Sequence, residues 1–111
     1  MGDRRNVILD YGNDNKIYFY SHWGGTDLPA TVAYALQRGK ERWDDPPYLA
    51  RIIFSELIRD EYQELTGYGI SPDIVDTEYS NEEVCLDLVN LKAGIGKATT
   101  PFSEFIRKHL S

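Results

Sequence analysis

The chain reads as a small α+β domain, an antiparallel sheet of about four strands with helices packed on one face, in the order ββααββα. Three observations carry this. A run alternating between two faces, Lys16 to Trp23, follows a dense turn signal at Gly12-Asn13-Asp14-Asn15. Two apolar stripes at helical spacing begin at Thr26-Asp27-Leu28-Pro29 and Asp44-Asp45-Pro46-Pro47. The last third mixes short alternating stretches with one more helix start. The 111 residues fit one domain spanning 1–111.

Asn6 to Tyr11 reads as the first strand, with Val7, Leu9 and Tyr11 on one face. Gly, Asn and Asp tolerate left-handed backbone angles, so Gly12 to Asn15 reads as a hairpin turn. On the returning strand Ile17, Phe19, Ser21 and Trp23 share the face expected to be core. Tyr18, Tyr20 and His22 share the other, a polar-tipped aromatic face suited to binding or dimerisation.

The first helix is expected from Thr26 to Arg38, capped by Thr26 or Asp27 and stopped by Gly39. Lys40-Glu41-Arg42 is a charged link. The second helix is expected from Tyr48 to Tyr62, capped by Asp44 or Asp45, with Leu49, Ile52, Ile53 and Leu57 on its apolar arc. Thr66 to Pro72 reads as a loop, Asp73 to Thr77 as a weak strand, Glu83 to Asn90 as a better one, and Lys92 to Ala98 as a loop. A last helix runs from Thr99 or Thr100 with Pro101 to Leu110, burying Phe102, Phe105 and Ile106. A sheet this small leaves open edges, which a homo-oligomer would hide.

The net charge of −6 argues against a nucleic-acid polymer or an anionic membrane as main partner, because both need clustered Lys and Arg. No stretch has the length of a membrane-spanning helix, and one cysteine, Cys85, excludes an internal disulfide. A bacterial cytoplasm is the expected location. No His or Cys spacing matches a metal site and no motif implies a cofactor. Cys85 with Asp87 lacks any local nucleophile motif, and Cys85 reads as a half-buried strand residue. His109 reads as a last-turn residue complementing the helix dipole.

The strongest site signal is Tyr20-Ser21-His22-Trp23-Gly24-Gly25-Thr26, where an aromatic strand meets a glycine turn at a helix start. Helix-start N–H groups suit a small polar or anionic ligand. Tyr18, Tyr20 or Trp23 would stack on a ring, and His22 would donate a hydrogen bond. Arg42 or Arg51 would neutralise an anion if the two helix starts converge. The competing reading makes Trp23 core and the glycines a plain turn. Without a phosphate-loop lysine this is no nucleoside triphosphate site.

Three stretches carry a resemblance. Met1-Gly2-Asp3-Arg4-Arg5-Asn6-Val7, Tyr20-Ser21-His22-Trp23-Gly24-Gly25, and Arg42-Trp43-Asp44-Asp45-Pro46-Pro47-Tyr48-Leu49-Ala50-Arg51-Ile52-Ile53-Phe54 resemble a family of short proteins from actinobacterial phages and some bacteria. It covers the first two-thirds, through Gly67-Tyr68-Gly69-Ile70-Ser71. The resemblance implies a setting, a phage-type accessory protein, and brings no established activity and no functional residues.

The function expected is therefore non-enzymatic binding of a small polar or anionic ligand, with a nucleotide-derived host-defence signal as one candidate. A protein-binding inhibitor of a host factor is the alternative, using the Tyr18, Tyr20 and His22 face. A small hydrolase with His22 and a carboxylate as acid and base ranks third, since no paired catalytic set is visible.

Overall fold

The computed structural model describes residues 2–110. The elements run β1 (Arg5–Asp10), β2 (Lys16–Ser21), α1 (Leu28–Arg38), α2 (Pro46–Leu57), β3 (Tyr68–Ser71), β4 (Val84–Asp87), β5 (Lys92–Ile95), β6 (Ala98–Pro101) and α3 (Phe102–Leu110). Single 3-10 turns at Gly25–Asp27 and Lys40–Arg42 lead into α1 and α2. The α+β class holds, with six strands rather than four and the order ββααββββα.

The sheet order is β3-β2-β1-β4-β5-β6. It is mixed, not antiparallel, because β1 and β4 pair in parallel. Parallel neighbours need a crossover; between β1 and β4 the chain makes β2, α1, α2 and β3, and residues 72–83 then carry it from the β3 edge back to β4 as an irregular strap. The strap is tied down from below. Asn6, on β1, donates from Nδ2 to the Val75 carbonyl, and the Arg5 guanidinium donates to the Glu82 carbonyl at 2.9 and 2.7 Å.

The core lies on one face, where Val7, Leu9, Phe19, Val84, Leu86 and Ala93 meet the helices. Leu28, Val32, Ala35 and Leu36 of α1, Leu49, Ile53 and Leu57 of α2, and Phe102 and Phe105 of α3 complete it. The helical periodicity seen in the sequence is this buried stripe. The turn at 12–15 also forms as expected, with Gly12, Asn13 and Asp14 at positive φ.

Several boundaries differ. The strand expected at 73–77 is the strap, and the true edge strand is Tyr68–Ser71, within the stretch read as loop. The stretch 92–98 read as loop is most of a hairpin, β5 and β6 joined at Gly96-Lys97. β4 stops at Asp87, whose carboxylate accepts the Val89 and Asn90 N–H groups and turns the chain. Trp23 lies beyond the end of β2 and is 51% exposed, so it is not core. α1 and α2 begin after Asp27 and Asp45, but neither side chain makes a capping hydrogen bond. α2 ends at Leu57, earlier than the apolar pattern reaches.

Candidate functional site

The segment from His22 to Asp27 connects β2 to α1 and has two sides. One side faces the N-terminal residues. The Asp3 backbone holds both flanks of the turn: its N–H donates to the His22 carbonyl and its carbonyl accepts the Gly25 N–H. Its carboxylate accepts the Thr26 N–H at 2.8 Å and the Tyr79 hydroxyl at 2.9 Å. Thr26 Oγ1 and the Tyr79 hydroxyl share a further hydrogen bond of 2.9 Å. Beneath them the buried Arg5 donates to the Gly25 carbonyl and stacks on the Tyr79 ring, 4.2 Å from its centroid.

Four successive N–H groups are thereby committed. Gly25 and Thr26 donate to Asp3, Asp27 to the Gly24 carbonyl, and Leu28 to the Gly25 carbonyl. Pro29 has no N–H to offer. The donors expected to face an outside anion face Asp3 instead. The backbone and hydroxyl of Thr26, then the Tyr79 hydroxyl, hold the Asp3 carboxyl below its usual pKa. Gly25 is required for this closeness, since a Cβ there would stand 2.6 Å from the Asp3 carbonyl oxygen.

The other side is open. A cavity of about 300 Å³ is lined by Ser21, Trp23, Gly24, Asp27, Leu28, Thr31, Glu56, Leu57, Glu61 and Tyr68. That is the lower end of the range for small-ligand sites. It sits where the start of α1 meets the end of α2 and β3. Trp23 forms a wall. It packs edge-on against His22, ring centroids 4.5 Å apart, and lies close to Gly67, where a Cβ would be 3.1 Å from its Nε1. Gly67 has φ +104°, so glycine serves there both for conformation and for room.

The lining is acidic. Glu56 is neutralised by Arg38 at 3.0 Å and Arg59 at 3.3 Å. Asp27 and Glu61 have no cationic partner among the described residues. Glu61 accepts the Tyr68 hydroxyl. Partial burial, followed by that hydrogen bond and the Glu61 charge, pushes the Tyr68 hydroxyl up to about 12. Such a surface repels a phosphate and attracts a positively charged group, which an exposed indole face also favours.

The expected site residues divide accordingly. Trp23 and Gly24 line the cavity, whereas Gly25 and Thr26 belong to the Asp3 network. Tyr20 and His22 are half-buried, joined by a 2.7 Å hydrogen bond between the hydroxyl and Nδ1. Tyr18 pairs opposite Ser71 on the sheet face away from the helices. Arg42 and Arg51 are elsewhere. Arg42 lies over the Tyr48 ring, and Arg51 lines a separate apolar groove with Phe19, Phe54 and Ile70. The helix starts do not converge, because the start of α1 lies at the end of α2, where Leu28 and Thr31 share the cavity wall with Glu56 and Leu57.

Cys85 is half-buried on the open sheet face, and burial raises its thiol pKa. His109 stacks on Phe105, and burial, then the charges of Lys108 and Arg5, lowers its pKa. Its charged form is thus disfavoured despite the helix end. Among the described residues no group of three or more His, Cys, Asp or Glu is placed to hold a metal, and no helix is long and apolar enough to cross a membrane. The sequence analysis missed Asp3, Arg5 and Tyr79, and it missed Asp27, Glu61 and Tyr68 as cavity residues.

No protein-family model matches the chain, no curated protein is similar to it, and no solved structure matches its fold. Nothing in these comparisons bears on the resemblance to phage proteins.

Proposed function

We propose that the protein is a non-enzymatic binding protein whose ligand sits in the cavity against Trp23 and presents a positively charged group to Asp27 and Glu61. The single observation carrying this reading is an open cavity of about 300 Å³ that joins an exposed indole to two carboxylates without cationic partners. It keeps the small polar ligand expected from the sequence and assigns it the opposite charge, because the turn's own donors are spent on Asp3. The phage-type accessory role rests on the resemblance alone. Binding to a host protein is the second reading, favoured by the exposure of Trp23, Tyr62 and Leu65. A basic side chain of a partner would enter the same cavity.

The test uses three probes of one shape and different charge: phenethylamine, phenethyl alcohol and phenylacetate, each titrated by isothermal calorimetry. The amine binds most tightly, and Trp23→Ala abolishes its binding. Asp27→Asn combined with Glu61→Gln weakens it about tenfold or more, the scale of losing charge-assisted contacts. Equal or tighter binding of phenylacetate would refute the reading.

A further inference from the structure

We propose that two copies of this chain pair through the free edge of β3, antiparallel and about a two-fold axis at Ile70. The two edges of the sheet are treated differently. β6 ends in Pro101, which lacks an N–H, carries Lys97 in the turn before it and runs directly into α3. These are ordinary protections of a sheet edge. β3 has neither proline nor charge within it.

Its free hydrogen-bonding groups can be assigned. The His22 N–H donates to the Gly67 carbonyl, and β2 pairs with β3 through Tyr20 opposite Gly69 and Tyr18 opposite Ser71. Alternate residues of an antiparallel strand turn their polar groups to the same side. Gly67, Gly69 and Ser71 therefore serve β2, while Tyr68 and Ile70 direct theirs outward. Ile70 stands opposite Phe19 and so projects to the helix face. There it is 57% exposed and borders an apolar groove of about 210 Å³ with Ile17, Phe19, Ala50 and Phe54.

A second copy satisfies this edge better than a basic foreign strand. Each chain carries −6, yet Thr66 to Pro72 holds no charge, so two acidic chains meet along a neutral seam. With Ile70 opposite Ile70 of the second copy, the two residues exchange both backbone hydrogen bonds. Each Tyr68 N–H then reaches the Pro72 carbonyl of the other copy, and the ladder stops at proline. Each Ile70 side chain extends the groove of its neighbour. Ile70, 57% exposed in the single chain, lies at the centre of this seam and is covered by its counterpart in the second copy.

The test is sedimentation velocity from 1 to about 200 µM, a span that covers dimers of micromolar affinity. Wild type shifts from monomer to dimer across it. Ile70→Lys, which places a charge on an already exposed position, weakens the dimer at least 100-fold with an unchanged circular dichroism spectrum. Thr99→Lys on the opposite edge leaves it intact. Amide exchange at Tyr68 and Ile70 slows on dimerisation, a readout that does not depend on a variant. A wild type that is monomeric throughout, or a dimer that Ile70→Lys leaves unchanged, overturns the proposal. Neither result touches the cavity reading, since the cavity's charge preference is measured on monomer or dimer alike.

Discussion

The two sides of one six-residue turn, His22 to Asp27, behave as opposites. On the side of Asp3, Arg5 and Tyr79 nearly every polar group has a partner, and the partners come from positions 20 to 77 residues apart. On the side of Trp23, Asp27 and Glu61, an aromatic face and two carboxylates are left to solvent. The contrast teaches that a helix start is not a binding site by virtue of its free donors alone. A chain can fill it with its own carboxylate and leave the adjacent wall free for function.

The contrast breaks most readily on the closed side. Arg5→Ala removes a buried guanidinium, takes both of its hydrogen bonds from the Glu82 carbonyl and leaves the Gly25 carbonyl with the Leu28 N–H alone. We expect a loss of about 2–4 kcal/mol, the scale for a broken buried network. Urea denaturation reads it directly. Gly25→Ala is expected to cost about 1–3 kcal/mol, because its Cβ meets the Asp3 backbone in a turn with no slack. The open side should respond otherwise. Trp23→Ala, at a half-exposed position, is expected to change stability by less than about 1 kcal/mol while abolishing amine binding. Equal stability losses on both sides would erase the distinction.

Two smaller effects sharpen it through pH. The Tyr68 hydroxyl holds its proton more tightly in the folded chain, its pKa pushed up from the ordinary 10.0 to about 12. Its contribution to stability is full below pH 10 and is lost as pH rises toward 12. Tyr68→Phe should flatten the alkaline fall in melting temperature across that window. His109 works in the other sense. Its folded pKa lies below 6.5, so its contribution is present above pH 6.5 and is lost as pH falls through the folded value. His109→Gln should reduce the loss of melting temperature on acidification. Both are read from thermal scans against pH.

Much of the fold was legible because it is local. The turn at Gly12 to Asn15 and the stripes of Leu28, Val32, Ala35 and Leu36 or Phe102 and Phe105 are periodic signals that tertiary contacts reinforce. What stayed hidden is non-local or disguised. Tyr68-Gly69-Ile70-Ser71-Pro72 has the composition of a loop and becomes a strand because β2 offers it an edge. Gly94 looks like a breaker, yet the hairpin needs it, since a Cβ there would overlap the Ala98 carbonyl. The candidate turn at Trp23 was visible from its residues. Its charge was not, because Asp3 fills the turn from 23 residues upstream of Thr26 and Glu61 arrives from beyond the end of α2.

The most direct test of the two-sided turn is a titration of ¹⁵N-labelled protein followed residue by residue. Phenethylamine should move the Trp23 indole N–H and the amides of Gly24, Asp27, Thr31 and Tyr68, while adenosine monophosphate leaves the amides of Gly25 and Thr26 in place. Adenosine monophosphate shifting Gly25 and Thr26 at lower concentration than the amine shifts Trp23 would contradict the account, and would mean that an outside anion displaces Asp3 from the helix start.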